Sequence, residues 1–282
     1  MPAPTVIPIR LLAVGALASL TLIGCTSAVQ AGHGAPLSSP ATTSRPATSS
    51  HPATPKPTPK LTPKPSPTTK HSSPPPSPSS SHQAPTVLPL HVSTGTAHQV
   101  VTVIASSSGS TTGTLQAWTK TSSGWQRHGS AVTAHLGSQG LTAHPSESKS
   151  ATPIGSFTLT QAFGSASDPG TRLAYFRTDS SDWWVSDASS RYYNTHYRCA
   201  SGCPFDTGAG ENLKAAGFVY TYAVVIDYNR FPVTPGAGSA FFLHVTDGGA
   251  TAGCVSIPES SLVSIMTWLD PAAHPRILIG VA

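Results

Sequence analysis

The stretch Ser239-Ala-Phe-Phe-Leu-His244-Val-Thr-Asp-Gly-Gly-Ala-Thr-Ala-Gly253-Cys254-Val-Ser-Ile-Pro258 sets a histidine at the end of an apolar run. A short Gly-rich loop follows, and Gly253-Cys254 then opens a second apolar run. Two β-like segments joined by a tight loop can bring a thiol and an imidazole within hydrogen-bond reach, the minimum for a cysteine nucleophile with its base. Gly253 permits a sharp backbone turn. A turn at Gly-Cys aims successive N–H groups, those of Gly253 and Cys254, at one spot where a developing oxyanion can sit.

Working outward, Glu259-Ser-Ser-Leu262-Val263-Ser-Ile265-Met266-Thr-Trp268-Leu269 repeats its apolar residues at three- and four-residue steps. With Pro258 at its start and Pro271 as a stop, it predicts a helix. Arg276-Ile-Leu-Ile-Gly280 reads as a closing strand. Upstream, His98–Ile104, Thr114–Thr119, Ser123–Gln126, Gly155–Thr160, Asp182–Val185, Gly217–Ile226 and Ala240–His244 are β-rich. Turn clusters such as Ser106-Ser-Ser-Gly-Ser-Thr111 separate them. The expectation is one mainly β domain over residues 86–282 with a single C-terminal helix, and no internal repeat.

The chain ahead of that domain cannot build a core. Residues 26–85 are Pro, Ser, Thr and Ala with spaced lysines, as in Pro55-Lys-Pro-Thr-Pro-Lys-Leu-Thr-Pro-Lys-Pro-Ser-Pro67. Proline removes donors and fixes φ, so an extended, disordered spacer is expected. At ~3.1 Å per residue its reach is at most ~190 Å. Residues 1–25 read as an export signal: Arg10, then apolar Leu11–Ile23, then Gly24-Cys25. That apolar run is too short for a membrane span, which needs ~20 residues, and has the length of a signal-peptide core. The junction Leu22-Ile23-Gly24-Cys25 resembles a bacterial lipobox, which implies lipidation at Cys25 and an extracytoplasmic, membrane-anchored, wall-facing protein.

Charge divides in the same way. Before Glu147 there are eight Lys and Arg and no acidic residue. From Glu147 on there are eight Lys and Arg and all 11 Asp and Glu, so charges of +8 and −3 give the net +5. The basicity belongs to the front of the chain and suits a polyanion such as nucleic acid, anionic lipid or anionic wall polymer. A solvated linker kept soluble by its lysines explains it equally.

Of the 4 cysteines, Cys25 is assigned to the signal junction. Cys199-Ala-Ser-Gly-Cys203 reads as a small disulfide in an oxidising compartment; a metal site is its weaker competitor. Cys254 is left over, either a reactive thiol or a buried apolar cysteine. His244 differs from most of the 12 histidines in closing an apolar strand. No carboxylate is clearly placed to orient the imidazole, since Asp247 falls on the loop; a backbone carbonyl could do so, and a strand-end histidine simply bonded to backbone is the competing role.

His244 followed by Thr251-Ala-Gly-Cys254-Val-Ser resembles the catalytic signature of the YkuD-type L,D-transpeptidases. Thr152-Pro-Ile-Gly-Ser-Phe157 resembles that family's Thr-Pro-x-Gly-x-Phe element. Trp184-Val-Ser-Asp187 with Tyr193-Asn194, and Ala223-Val-Val-Ile-Asp-Tyr-Asn229, look like its secreted branch. The resemblance covers about residues 95–282. It implies a β-sandwich or barrel catalytic domain that acts on peptidoglycan stem peptides with no metal or organic cofactor and no nucleic acid partner. Cys254 is then the nucleophile, His244 the general base and acid, and Gly253 part of the oxyanion hole. Trp184, Tyr193, Asn194, Thr251 and Ser256 are the expected substrate-binding residues, although packing and turn roles compete at Trp184, Tyr193 and Asn194.

The implied reaction starts with attack of Cys254 on the carbonyl between the third stem residue and terminal D-alanine. A thioester forms, and an amine of a neighbouring stem takes the acyl group to give a 3→3 cross-link. Carbapenems commonly acylate the cysteine of this family. The sequence departs from the family pattern in carrying Thr251-Ala252 where Ser-His is usual and Ser256 where Arg or Asn is usual. Two alternatives stay open: an L,D-carboxypeptidase in which water replaces the amine, and an inactive wall-binding lipoprotein. An NlpC-type cysteine peptidase fits less well, because in that group the cysteine precedes the histidine.

Overall fold

The computed structural model describes residues 87–282. The signal segment with Cys25 and the linker, on which the lipidation and anchoring expectations rest, lie outside the described residues. The strands are β1 (Gln99–Ala105), β2 (Thr112–Thr121), β3 (Gly124–His135), β4 (Leu141–Thr142), β5 (Thr152–Pro153), β6 (Gly155–Thr158), β7 (Gln161–Gly164), β8 (Ala174–Arg177), β9 (Asp182–Trp184), β10 (His196–Arg198), β11 (Glu211–Asn212), β12 (Ala223–Val225), β13 (Phe242–Val245), β14 (Val255–Ile257) and β15 (Arg276–Val281). One α-helix, α1 (Glu259–Trp268), lies between β14 and β15. The domain is mainly β, as its sequence predicts.

Ten strands form one sheet in the order β6-β15-β1-β2-β3-β14-β13-β12-β7-β8. The closing strand β15 is inserted beside β1 and runs parallel to it. Strands β1 and β15 read as almost unbroken apolar runs because both of their faces are covered. Val101, Val103, Ile277 and Ile279 face one core together with Leu243, Val255 and Ile257 from the middle of the sheet. Strands far apart in the sheet order feed the same cluster, so the sheet curls around it. Val100, Trp118 and Leu278 face the other way, under Leu88, Leu90 and Ala97.

Helix α1 packs against β13 and the same core cluster. Pro258 precedes it with an extended backbone, and Glu259 places a negative charge in its first turn, where the helix dipole favours one. Leu262, Ile265 and Met266 recur at helical spacing and are buried in the core cluster. Truncating Leu262 to alanine costs about 2–5 kcal/mol at such a site.

The segment Gly217–Ile226, expected as one strand, divides in two. Gly217–Tyr220 forms a 3-10 turn, and only Ala223–Val225 is strand. Gly217 enters with φ +75°, and Thr221 closes the turn in the helical region with its N–H on the Phe218 carbonyl. The turn leaves Phe218 exposed and buries Tyr220. Tyr220 joins Phe163, Trp184, Leu213, Ala223, Val225, Phe242 and Cys254 in a second cluster on the outer face of the sheet. The small sheet β10-β9-β11 supplies Trp184 to this cluster.

Candidate active site

Strands β13 and β14 run parallel, with His244 opposite Ser256. Side chains alternate along a strand, so Cys254, two residues before Ser256, projects on the same face as His244. The sheet therefore puts Cys254 and His244 on one face, diagonally across the strand pair. The connection Thr246–Cys254 is shorter than the dozen or more residues that parallel neighbours usually need. Thr251 pins it to the strand-end loop after β3. Its N–H donates to the Leu136 carbonyl, and its own carbonyl accepts from Ser138 N–H, both at 2.8 Å.

The Gly253-Cys254 turn is held by hydroxyls. Thr251 Oγ1 donates to the Cys254 carbonyl at 2.7 Å and accepts from Gly253 N–H at 3.1 Å. Thr152 Oγ1, fully buried, donates to the same carbonyl at 3.3 Å. Gly253 has φ +140°, and its missing Cβ would lie 2.8 Å from the Phe241 ring. One part of the expectation is corrected here. Gly253 N–H is spent on Thr251, whereas Cys254 N–H has no protein partner among the described residues and is the free donor of the pair.

The thiol lies beneath the surface of the site. Cys254 Sγ accepts from Phe242 N–H and donates to the Ala240 carbonyl, both at 3.4 Å. Burial pushes the thiol up to about 12, with the Glu211 carboxylate adding to the rise; the Phe242 N–H bond and Tyr220 act against it. The resting group is a thiol, not a thiolate. His244 is also buried, and its Nδ1 lies 2.8 Å from the Val245 carbonyl. A carbonyl only accepts, so Nδ1 carries the proton and Nε2 presents a lone pair. Burial lowers the imidazole pKa, opposed by the Val245 bond and by Asp247. Both partners are thus neutral at rest, and the backbone orients the base.

His244, Cys254, Gly253 and Thr251 line one cleft of about 380 Å³. Glu211 and Tyr220 stand on the same wall, with Tyr220 OH donating to Glu211 Oε1 at 2.7 Å. The Tyr220 ring meets His244 edge-on, centroids 5.3 Å apart. Glu147 is on the wall as well, accepting from Tyr193 OH and, at 3.2 Å, from Ser239 Oγ.

Other expected site residues fall elsewhere. Trp184 is 1% exposed and outside the cleft lining, edge-on to Phe242. Its Nε1 donates to Asn194 Oδ1 at 2.9 Å. Asn194 is equally buried and spends its amide on the Tyr228 and Asn229 carbonyls, at 3.0 and 2.8 Å. These two residues hold the Tyr228–Ala240 loop and do not reach the cleft. Tyr193 is buried behind Glu147, to which its hydroxyl donates, and is not part of the cleft lining. Ser256 is 1% exposed, with a hydroxyl that has no partner among the described residues, and lies below the cleft. Cys199 and Cys203 are joined as a disulfide, S–S 2.11 Å, next to β10.

Sequence reasoning missed Glu211, which sits in no apolar pattern and far from His244 in the chain, and Tyr220, which lies inside the β-rich stretch Gly217–Ile226 and comes to the site through the 3-10 turn. Thr152 had a signal, as the first residue of the Thr-Pro-x-Gly-x-Phe block.

The family model for the L,D-transpeptidase catalytic domain, YkuD, matches residues 111–278. The chain belongs to the YkuD family. No curated protein and no solved structure matches it. The matched YkuD region runs from the edge of β2 into β15 and contains every residue of the cleft described above. This family acts on peptidoglycan stem peptides by acyl transfer. In this YkuD domain Thr251 knots the turn, and Ala252 leaves the mouth of the cleft without a second imidazole.

Proposed function

We propose that the chain is a peptidoglycan L,D-transpeptidase working through Cys254 and His244. The observation that carries this reading is the shared face of β13 and β14, which puts a buried thiol and a neutral imidazole in one cleft of a YkuD domain. The donor stem binds with the carbonyl of its third residue over Sγ. As Sγ attacks, His244 Nε2 takes the thiol proton, so no free thiolate has to exist in the buried site. Cys254 N–H meets the oxyanion. Collapse breaks the bond to D-alanine, whose amine leaves with the proton from His244. The thioester then passes its acyl group to an amine of a neighbouring stem.

Export and anchoring belong to the same reading: a lipid at Cys25 and a Pro-rich spacer would carry the domain into the wall. The catalytic test is intact-mass spectrometry of the full chain after exposure to a carbapenem. A covalent adduct on the wild type, absent in Cys254→Ala and slowed in His244→Ala, is expected. Folded, reduced wild type that stays unmodified would sink the reading. Metabolic labelling with a palmitate analogue, lost in Cys25→Ala, tests the anchor.

A further inference from the structure

The second half of the proposed reaction has a proton problem that His244 alone does not solve. A stem side-chain amine has a pKa of ~10.4, so at neutral pH only about one molecule in 2,500 is the free base. The ammonium must lose one proton before it can attack and a second as the C–N bond forms. His244 provides for one.

Glu211 stands where the other is needed. It sits on β11, across the small sheet from Trp184, and lines the cleft with Cys254 and His244. Tyr220 OH fixes Oε1 at 2.7 Å. Oε2 has no hydrogen-bond or ion-pair partner among the described residues, and it is not sealed away as a buried orphan. The residue lines the cleft, with Oε1 held by Tyr220 and Oε2 left unpaired among the described residues. We propose that Glu211 is the acceptor-amine residue of this site: its free oxygen binds the incoming ammonium and takes its first proton. This rests on the acyl-transfer reading above.

The ammonium gives one proton to Glu211, which becomes the neutral acid. The amine lone pair attacks the thioester carbonyl, and its second proton goes to His244 Nε2. The C–S bond breaks, Sγ recovers that proton from His244, and the amide keeps the third hydrogen. Glu211 returns its proton to water as product leaves. Burial raises the Glu211 pKa, and the Tyr220 bond opposes the rise, which brings the carboxylate closer to the amine in basicity. The titratable groups facing the site are Tyr220, Cys254 and His244, with Glu147, Lys149 and Asp247 on the rest of the wall. Lys149 Nζ is turned to the His144 carbonyl at 2.9 Å.

The experiment offers the full chain a stem tetrapeptide ending in D-alanine, with Nα-acetyl-lysine as acceptor. It measures D-alanine release and the ratio of amine product to hydrolysis product. In Glu211→Gln, which keeps an acceptor for Tyr220 OH, this ratio should fall at least tenfold at neutral pH. It should recover as the pH approaches that of the free amine. An unchanged ratio, or a loss that stays constant with pH, overturns the proposal. A second measurement needs no variant: wild type is given Nα-acetyl-lysine or the weakly basic glycinamide. Transfer to the lysine amine should exceed its free-base fraction at least tenfold relative to glycinamide; rates that simply follow the two free-base fractions overturn the assignment. Wild type that releases D-alanine but makes only hydrolysis product also overturns it while leaving the thioester chemistry standing. Absence of any D-alanine release removes the underlying reading, and this proposal with it.

Discussion

Thr152 and Cys254 are 102 residues apart in the chain, yet the Thr152 hydroxyl donates to the Cys254 carbonyl at 3.3 Å. The same oxygen accepts from Gly137 N–H at 2.8 Å. One buried side chain therefore ties the nucleophile turn to the loop after β3. Thr152→Val keeps the shape but strands a buried N–H, a loss of about 1–3 kcal/mol. Denaturant unfolding checks this, and Thr152→Ser should recover most of the stability. A valine variant as stable as wild type would show that the carbonyl is held adequately by Thr251.

The His244 imidazole sets the acid limb of the reaction. Its pKa is lowered, first by burial, so Nε2 keeps its lone pair below the pH at which an ordinary histidine protonates. Thioester formation should therefore persist below about 6.5 before it falls. A depressed histidine contributes stability that is present above its unfolded value and lost as pH falls through the folded one. Rapid-quench measurement of D-alanine release against pH tests the limb. His244→Ala should cost about 10²–10⁴-fold in thioester formation.

The Cys254 thiol, raised to about 12 by burial and then by Glu211, should alkylate slowly near neutral pH. Iodoacetamide modification should climb roughly tenfold per pH unit from about pH 6 to about 9, without a plateau, because only the thiolate reacts. Glu211→Gln removes the nearby charge and should speed alkylation at any one pH. Mass spectrometry of the labelled chain reads both. A plateau near neutral pH would mean that a thiolate–imidazolium pair exists at rest. For stability, the raised thiol pKa favours the fold below the unfolded value of ~8.5, and that contribution fades as pH rises.

The reach of the sequence followed the range of the interactions. His244 and Cys254 were legible because strand alternation and one short loop fix which face each takes. Helix α1 was legible because its caps and apolar spacing are local. Gly217–Ile226 was not: its composition is that of a strand, but Gly217 at φ +75° starts a turn that sends Tyr220 to Glu211. Trp184 and Asn194 carried the resemblance, yet they bond each other beneath the loop they support. Their pattern records packing, which residue type alone does not distinguish from contact with substrate. Glu211 reaches the site through pairing of β11 with β9, a placement that no nearby residue signals.

Gly253 gives the most local test of the turn. At φ +140° its backbone suits glycine. A Cβ would also lie 2.8 Å from the Phe241 ring and 3.2 Å from the Ala151 carbonyl. Gly253→Ala should cost about 1–3 kcal/mol as backbone strain, and it should slow thioester formation at least tenfold by moving Cys254 N–H off the oxyanion. The two causes separate in a double-mutant cycle with Phe241→Leu. Leucine has no ring atom at that position, so it relieves the side-chain clash while leaving the φ penalty and the Ala151 carbonyl. The Gly253→Ala/Phe241→Leu chain should therefore recover part of the stability relative to additivity and little of the rate. Full recovery of the rate would assign the constraint at Gly253 to the Phe241 ring, and the backbone conformation would then not be what aims the oxyanion donor.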